Sequence, residues 1–131
     1  MKKLLIILML ALASASAMAK WTVLSVNDKT GVTEYADLAK IRKVGNKVKM
    51  WTMHDHKTAQ ERGLYKYLSI KMLWEFDCQE EEARNLSLIL LSGNMGMGDV
   101  VFSNHDPTKF MPIVPGSVGE REWNMVCEEI K

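Results

Sequence analysis

From Leu64 to Cys78 the chain alternates, with Leu64, Leu68, Ile70, Met72, Trp74, Phe76 and Cys78 at even positions and Tyr65, Tyr67, Ser69, Lys71, Glu75 and Asp77 at odd ones. A period of two belongs to a β-strand, whose successive side chains point to opposite faces. The run predicts one long strand with a buried even-numbered face, interrupted only at Lys66 and Leu73. Such a strand is not stable alone; it needs partners in a sheet and a second layer over its apolar face. Cys78 is in phase with the apolar set, so its sulfur is expected to point into the core.

The other cysteine, Cys127, lies where the period changes. Trp123, Val126, Cys127 and Ile130 sit at i, i+3, i+4 and i+7, and Ser117 with Glu120 forms an S-x-x-E capping box ahead of them. A short amphipathic helix follows, with Cys127 on its apolar stripe. Residues 1–19 set the redox compartment. Lys2 and Lys3 precede the apolar run Leu4–Leu12, and small residues end in Ala17-Met18-Ala19, the pattern of a secretory signal peptide cut before Lys20. Exported thiols are oxidised, so a Cys78–Cys127 disulfide is expected to staple the helix onto the strand. Closing a loop of about 50 residues stabilises the fold by roughly 4 kcal/mol.

The apolar run is shorter than the roughly 20 residues a membrane-spanning helix needs, and no later stretch is longer. No cysteine follows the small-residue run to accept a lipid. The expectation is an exported protein, periplasmic or secreted and not lipid-anchored, with residues 20–131 as a single domain. Losing Lys2 and Lys3 takes 17 basic residues to 15 against 16 acidic, a formal charge of −1. Nucleic acid therefore loses its electrostatic argument as a partner.

Elsewhere the pattern is also β. Trp21–Val26 and Val32–Tyr35 flank the turn residues Asn27-Asp28-Lys29-Thr30-Gly31, and Arg42–Val44 and Lys47–Asp55 flank Gly45-Asn46. One helical turn fits Asp37–Ile41, and the polar stretch His56–Gly63 reads as a mobile loop. Beyond a charged turn, Gln79–Ala83, the runs Leu86–Leu91 and Asp99–Ser103 read as strands joined by the glycine-rich segment 93–98. Residues 104–116 carry Pro107, Pro112 and Pro115 and suit neither helix nor central strand. The fold class is α+β: an antiparallel sheet of about six strands with a C-terminal α-helix on one face and one disulfide.

Three segments give the chain a resemblance to a known family: EFDCQEEEARNLSLILLSGNMGMGDVV at Glu75–Val101, MPIVPGS at Met111–Ser117 and GEREWNMVC at Gly119–Cys127. Their order of Cys, Arg-x-Leu-Ser, Ser-Gly-x-Met-Gly, Pro-Gly-Ser and Trp-x-x-x-Cys elements is similar to that of the surface-adhesin protein E family of bacterial envelope proteins. The resemblance implies an antiparallel sheet packed on a C-terminal helix and tied by one disulfide. It also implies protein binding, since the family's best-known member is a surface lipoprotein that binds host matrix and plasma proteins.

Candidate chemistry is sparse. His54 and His56 lie on one side of an extended chain, a metal-site spacing that His105-Asp106 could join. Met95 and Met97 offer thioethers to Cu(I), but also suit gap-filling over a core beside glycines of a tight connection. Arg84 could grip a carboxylate, or pair with the acidic turn Glu80–Glu82 or with a backbone carbonyl. Tyr65 and Tyr67, beside Lys71 on the polar side of the long strand, are candidate protein-binding anchors. Ser117, Glu120 and Trp123 read as structural. No nucleophile is placed beside a base, so no enzyme and no cofactor is expected. The leading function is a non-catalytic binding module of the bacterial envelope with a protein partner, host or envelope, and a homodimer is compatible with it. The alternative is a periplasmic metal-binding protein using His54 and His56.

Overall fold

The computed structural model describes residues 20–129, so the proposed signal peptide and Ile130 lie outside the described residues. Strands β1 (Trp21–Asn27), β2 (Val32–Asp37), β3 (Arg42–Val44), β4 (Lys47–Arg62), β5 (Tyr65–Asp77), β6 (Glu82–Leu91), β7 (Val100–Asn104) and β8 (Met111–Pro112) form one antiparallel sheet. Its order is β1-β2-β4-β5-β6-β7, with β3 also paired to β4 and β8 to β6. The turn expected near Asp37 is a 3-10 turn, Leu38–Lys40. Helix α1 (Val118–Asn124) continues into one π-helical turn, Met125–Glu129.

The stretch expected to be a mobile loop, His56–Gly63, is instead mostly strand. β4 runs to Arg62, and Gln60, Glu61 and Arg62 pair with Tyr67, Lys66 and Tyr65. Backbone pairing holds this end of the hairpin, past a bulge between Asp55 and Gln60. It extends into solvent, so neither face needs apolar residues and the sequence shows no apolar period. Gly63 turns the chain with φ +60°, and Leu64 is fully exposed rather than part of the buried set.

One face of the sheet carries the main core. Ala36, Val48, Met50 and Phe76 pack against Trp123, Val126 and Cys127. Each fully buried large side chain among them contributes roughly 1.5–3 kcal/mol. Cys78 and Cys127 are bonded across a Cα–Cα distance of 5.4 Å, and the Trp123 indole N–H donates to the Asp77 carbonyl at 3.0 Å. Ser117 caps α1, its Oγ accepting from the Glu120 N–H at 3.1 Å. The reciprocal arm lands one residue early, because Glu120 accepts from the Gly116 N–H while the Ser117 N–H is taken by Val114.

The odd-numbered face of β5 is not left open. Ser69 is fully buried because the connection after β6 folds back over it, and Glu75 and Asp77 are nearly buried, held by Arg84 and by the turn after β5 respectively. The Ser69 hydroxyl donates to the Gly93 carbonyl at 2.6 Å and accepts from the Gly96 N–H at 2.9 Å. Asp55 accepts from the Met95 N–H at 2.7 Å and from the Asn94 amide at 3.0 Å. Gly96, at φ +70°, presses on the Lys71 side chain and Met53 so closely that a Cβ there would run into Lys71 Cε. Met97 does not fill the core as expected; it is largely exposed, since the glycines bring backbone, not thioethers, down onto the sheet. Past β7, residues 105–112 trace the free edge of β6. Thr108 bonds Asn85, and β8 pairs with Glu82 and Ala83, with Pro112 at an outermost position that demands no donor.

Candidate binding site on the helix-bearing face

β2 and β4 set Glu34 directly beside His54, and β5 continues that face with Met72, Trp74 and Phe76. The chain crosses above them as α1, bringing Val118, Gly119 and Glu122 over the sheet. Between the layers lies a cavity of about 200 Å³, walled by Met72, Trp74, Phe76 and Ala83 and bearing His54 and Glu122 as its ionisable groups. A second concavity of about 280 Å³ shares Met72 and Trp74 with it and opens outward over Leu88 and Phe102, with Arg62 and Asp106 on its rim. Helix α1 thus covers one end of this face and leaves a groove over the other.

Glu122 is only 6% exposed and accepts no hydrogen bond from the described residues. Burial, reinforced by the Glu34 charge and opposed by Arg121, pushes its pKa up to about 7. Glu34 is itself satisfied, taking a hydrogen bond from the Ser25 hydroxyl at 2.8 Å and lying 3.5 Å from Arg121 Nη2. Burial also holds His54 below the ordinary imidazole value, although Glu34 opposes that shift.

The residues singled out from the sequence do not converge. Tyr65 lies at the groove's outer end, its ring 5.2 Å from that of Phe102, over which Arg62 also sits. Tyr67 meets His56 edge-on at 5.7 Å. Lys71 is pinned under Gly96 on the opposite face. Arg84 does not pair with the acidic turn: register places it opposite Glu75, which accepts from its Nε and Nη2 at 2.8 Å, and its guanidinium stacks 4.5 Å from Phe110. His54 lines the inner cavity, whereas His105 is 2.7 Å from the Ser87 hydroxyl. Among the described residues no three His, Cys, Asp or Glu side chains are grouped to hold a metal ion. The Ser87–His105 pair lacks a carboxylate on the imidazole among the described residues, and Ser87 is buried. Sequence reading missed Glu122, Glu34, Arg62 and Phe102. Only Glu122 left a signal, since it precedes Val126 by four and therefore shares the helix's apolar stripe.

A twisted antiparallel sheet, a single helix sewn to it by a disulfide, and a groove with apolar floor and charged rim define a small β-rich domain with a recess suited to binding. The chain belongs to the surface-adhesin protein E family, whose family model, described as Surface-adhesin protein E, matches residues 21–128. Among solved structures, a crystal form of Haemophilus influenzae protein E is similar over 82% of this chain and 97% of that one, with 10% identity and a TM-score of 0.60. Protein E from non-typeable Haemophilus influenzae is similar over 87% of this chain and 78% of that one, with 8% identity and a TM-score of 0.59. At such identity the likeness is one of fold. No curated protein matches the chain. Among the described residues no helix is long and apolar enough to cross a membrane.

Proposed function

We propose that residues 20–131 are an exported, non-catalytic binding module of the bacterial envelope, an adhesin-like domain that engages a protein partner through the outer groove. The observation that carries this reading is the groove itself: Met72, Trp74, Leu88 and Phe102 offer apolar surface between Arg62 and Asp106, the apolar centre and charged rim of a protein contact. Tyr65, 42% exposed against Phe102, extends it with an aromatic of the kind that anchors interfaces. Family membership supports an adhesive role, and host matrix or plasma proteins are the partners to try first. Self-association as a homodimer belongs to the same proposal and is read by sedimentation equilibrium.

The test measures binding of the purified oxidised protein to immobilised host matrix proteins and to bacterial envelope extract, alongside its Phe102→Ala and Tyr65→Ala variants. Expected is a loss of roughly tenfold or more in affinity for one class of partner, with Val44→Ala, remote from the groove, unchanged. Equal binding by all variants would overturn the assignment of the surface, and no binding to either class would overturn the function.

A further inference from the structure

The cavity under α1 has a chemistry the outer groove does not share. Its walls are apolar and aromatic, Met72, Trp74, Phe76, Ala83 and Val118, yet Glu122, nearly buried and without a hydrogen-bond donor among the described residues, lines it on one side and on the other the concavity that holds Glu34 and Arg121. A buried carboxylate with no partner is costly, and a packing role alone would be better served by leucine. The surrounding charges do not satisfy it. Arg121 lies within reach of Glu34 at 3.5 Å, His54 is held towards its neutral form, and Glu34 repels. The amino end of α1 donates no hydrogen bond to Glu122: the Glu120 N–H is taken by the Ser117 hydroxyl and the Arg121 N–H by the Ser117 carbonyl. With Glu34 and Arg121 offsetting each other, an ionised Glu122 leaves the cavity one negative charge in excess.

We propose that this cavity is a binding site for an organic ammonium, a primary amine on a short apolar stem, with Glu122 as its counter-charge and Trp74 and Phe76 as its walls. The cation neutralises the buried carboxylate, and the stem displaces water from apolar surface. Aromatic walls add cation–π attraction. At about 30 Å³ for each small group, about 200 Å³ admits roughly seven non-hydrogen atoms, the size of a hexylammonium ion and more than a lysine side chain needs. Carboxylate ligands meet Glu122 and Glu34 and are repelled. The site stands whether or not the outer groove engages a protein, and it is read separately.

The experiment titrates the oxidised protein at pH 7.5 with hexylammonium chloride, hexanol and sodium hexanoate, followed by calorimetry and by amide NMR shifts. Hexylammonium should bind at least roughly tenfold tighter than hexanol, the worth of one hydrogen bond between charged groups, with shifts around Trp74 and Gly119, and hexanoate should not bind. Glu122→Gln, which removes a charge and keeps the shape, should erase the ammonium's advantage while hexanol binding persists. Blocked lysine, Nα-acetyl-lysine methylamide, separates the sources of the shared chemistry: binding comparable to hexylammonium supports capture of a lysine side chain, and its failure beside hexylammonium binding supports a free small amine. Equal affinity for hexanol and hexylammonium, an advantage that survives Glu122→Gln, or shifts confined to another surface would overturn the proposal.

Discussion

Glu122→Gln also makes a prediction about stability that needs no ligand. The folded protein holds this carboxyl at a pKa of about 7, raised from 4.5 by burial and then by Glu34. Below pH 4.5 it is protonated in both the folded and the unfolded chain and the two are equal. Between 4.5 and about 7 the unfolded chain releases its proton first, so stability falls as pH rises; above about 7 the loss is complete and levels off. At roughly 1.4 kcal/mol for each pH unit of that interval, the full cost is about 3 kcal/mol, a large share of the 5–15 kcal/mol typical of a domain. Glutamine keeps the shape and carries no charge. The variant should match the wild type at pH 4 and exceed it by about 3 kcal/mol at pH 8, measured by urea unfolding with an unchanged denaturant dependence. His54 and His56, both held below 6.5 chiefly by burial, act in the opposite sense. Their contribution is lost as pH falls through 6.5 towards their lower folded values, but it is common to both proteins and cancels in the difference. A difference constant from pH 4 to pH 8, or a variant weaker than wild type at pH 8, would refute the reasoning.

Three further outcomes test the rest of the architecture. Replacing both Cys78 and Cys127 with alanine should cost about 4 kcal/mol from the loop released between residues 49 apart, seen as a fall in Tm of roughly 15 °C; a fall of only a degree or two contradicts the staple. Ser69→Ala strands the half-buried Gly93 carbonyl and the buried Gly96 N–H and should cost about 2 kcal/mol, with faster amide exchange at Gly96 as the local readout. Arg84→Lys loses both the forked contact to Glu75 and the stack on Phe110 and should destabilise by about 1–2 kcal/mol, whereas pairing with the acidic turn would leave lysine equivalent.

Local signals carried far where a rule is local. Turn residues at Asn27–Gly31 and Gly45-Asn46 located the first two hairpins, and Ser117 located the start of α1, since each acts on its own neighbours' backbone. His56–Gly63 was misread because hydrogen bonding to Tyr65–Tyr67, not burial, keeps it extended, and apolar period reports burial alone. For Arg84 the sequence left open a ligand carboxylate, the acidic turn Glu80–Glu82 or a backbone carbonyl, because only register across β5 and β6 delivers Glu75.

Period two along β5, the two cysteines and the capped final segment were enough, on their own, to determine a sheet with one stapled helix. Patterns of that kind follow from the geometry of a single chain element, so they are present before anything packs. Which face stays open, that Ser69 and Lys71 lie beneath a glycine-rich loop, and that Glu122 comes near Glu34 and shares a cavity with His54 were decided only in three dimensions. Those relations join residues tens of positions apart, and the cost of a buried charge depends on what the rest of the chain brings to it.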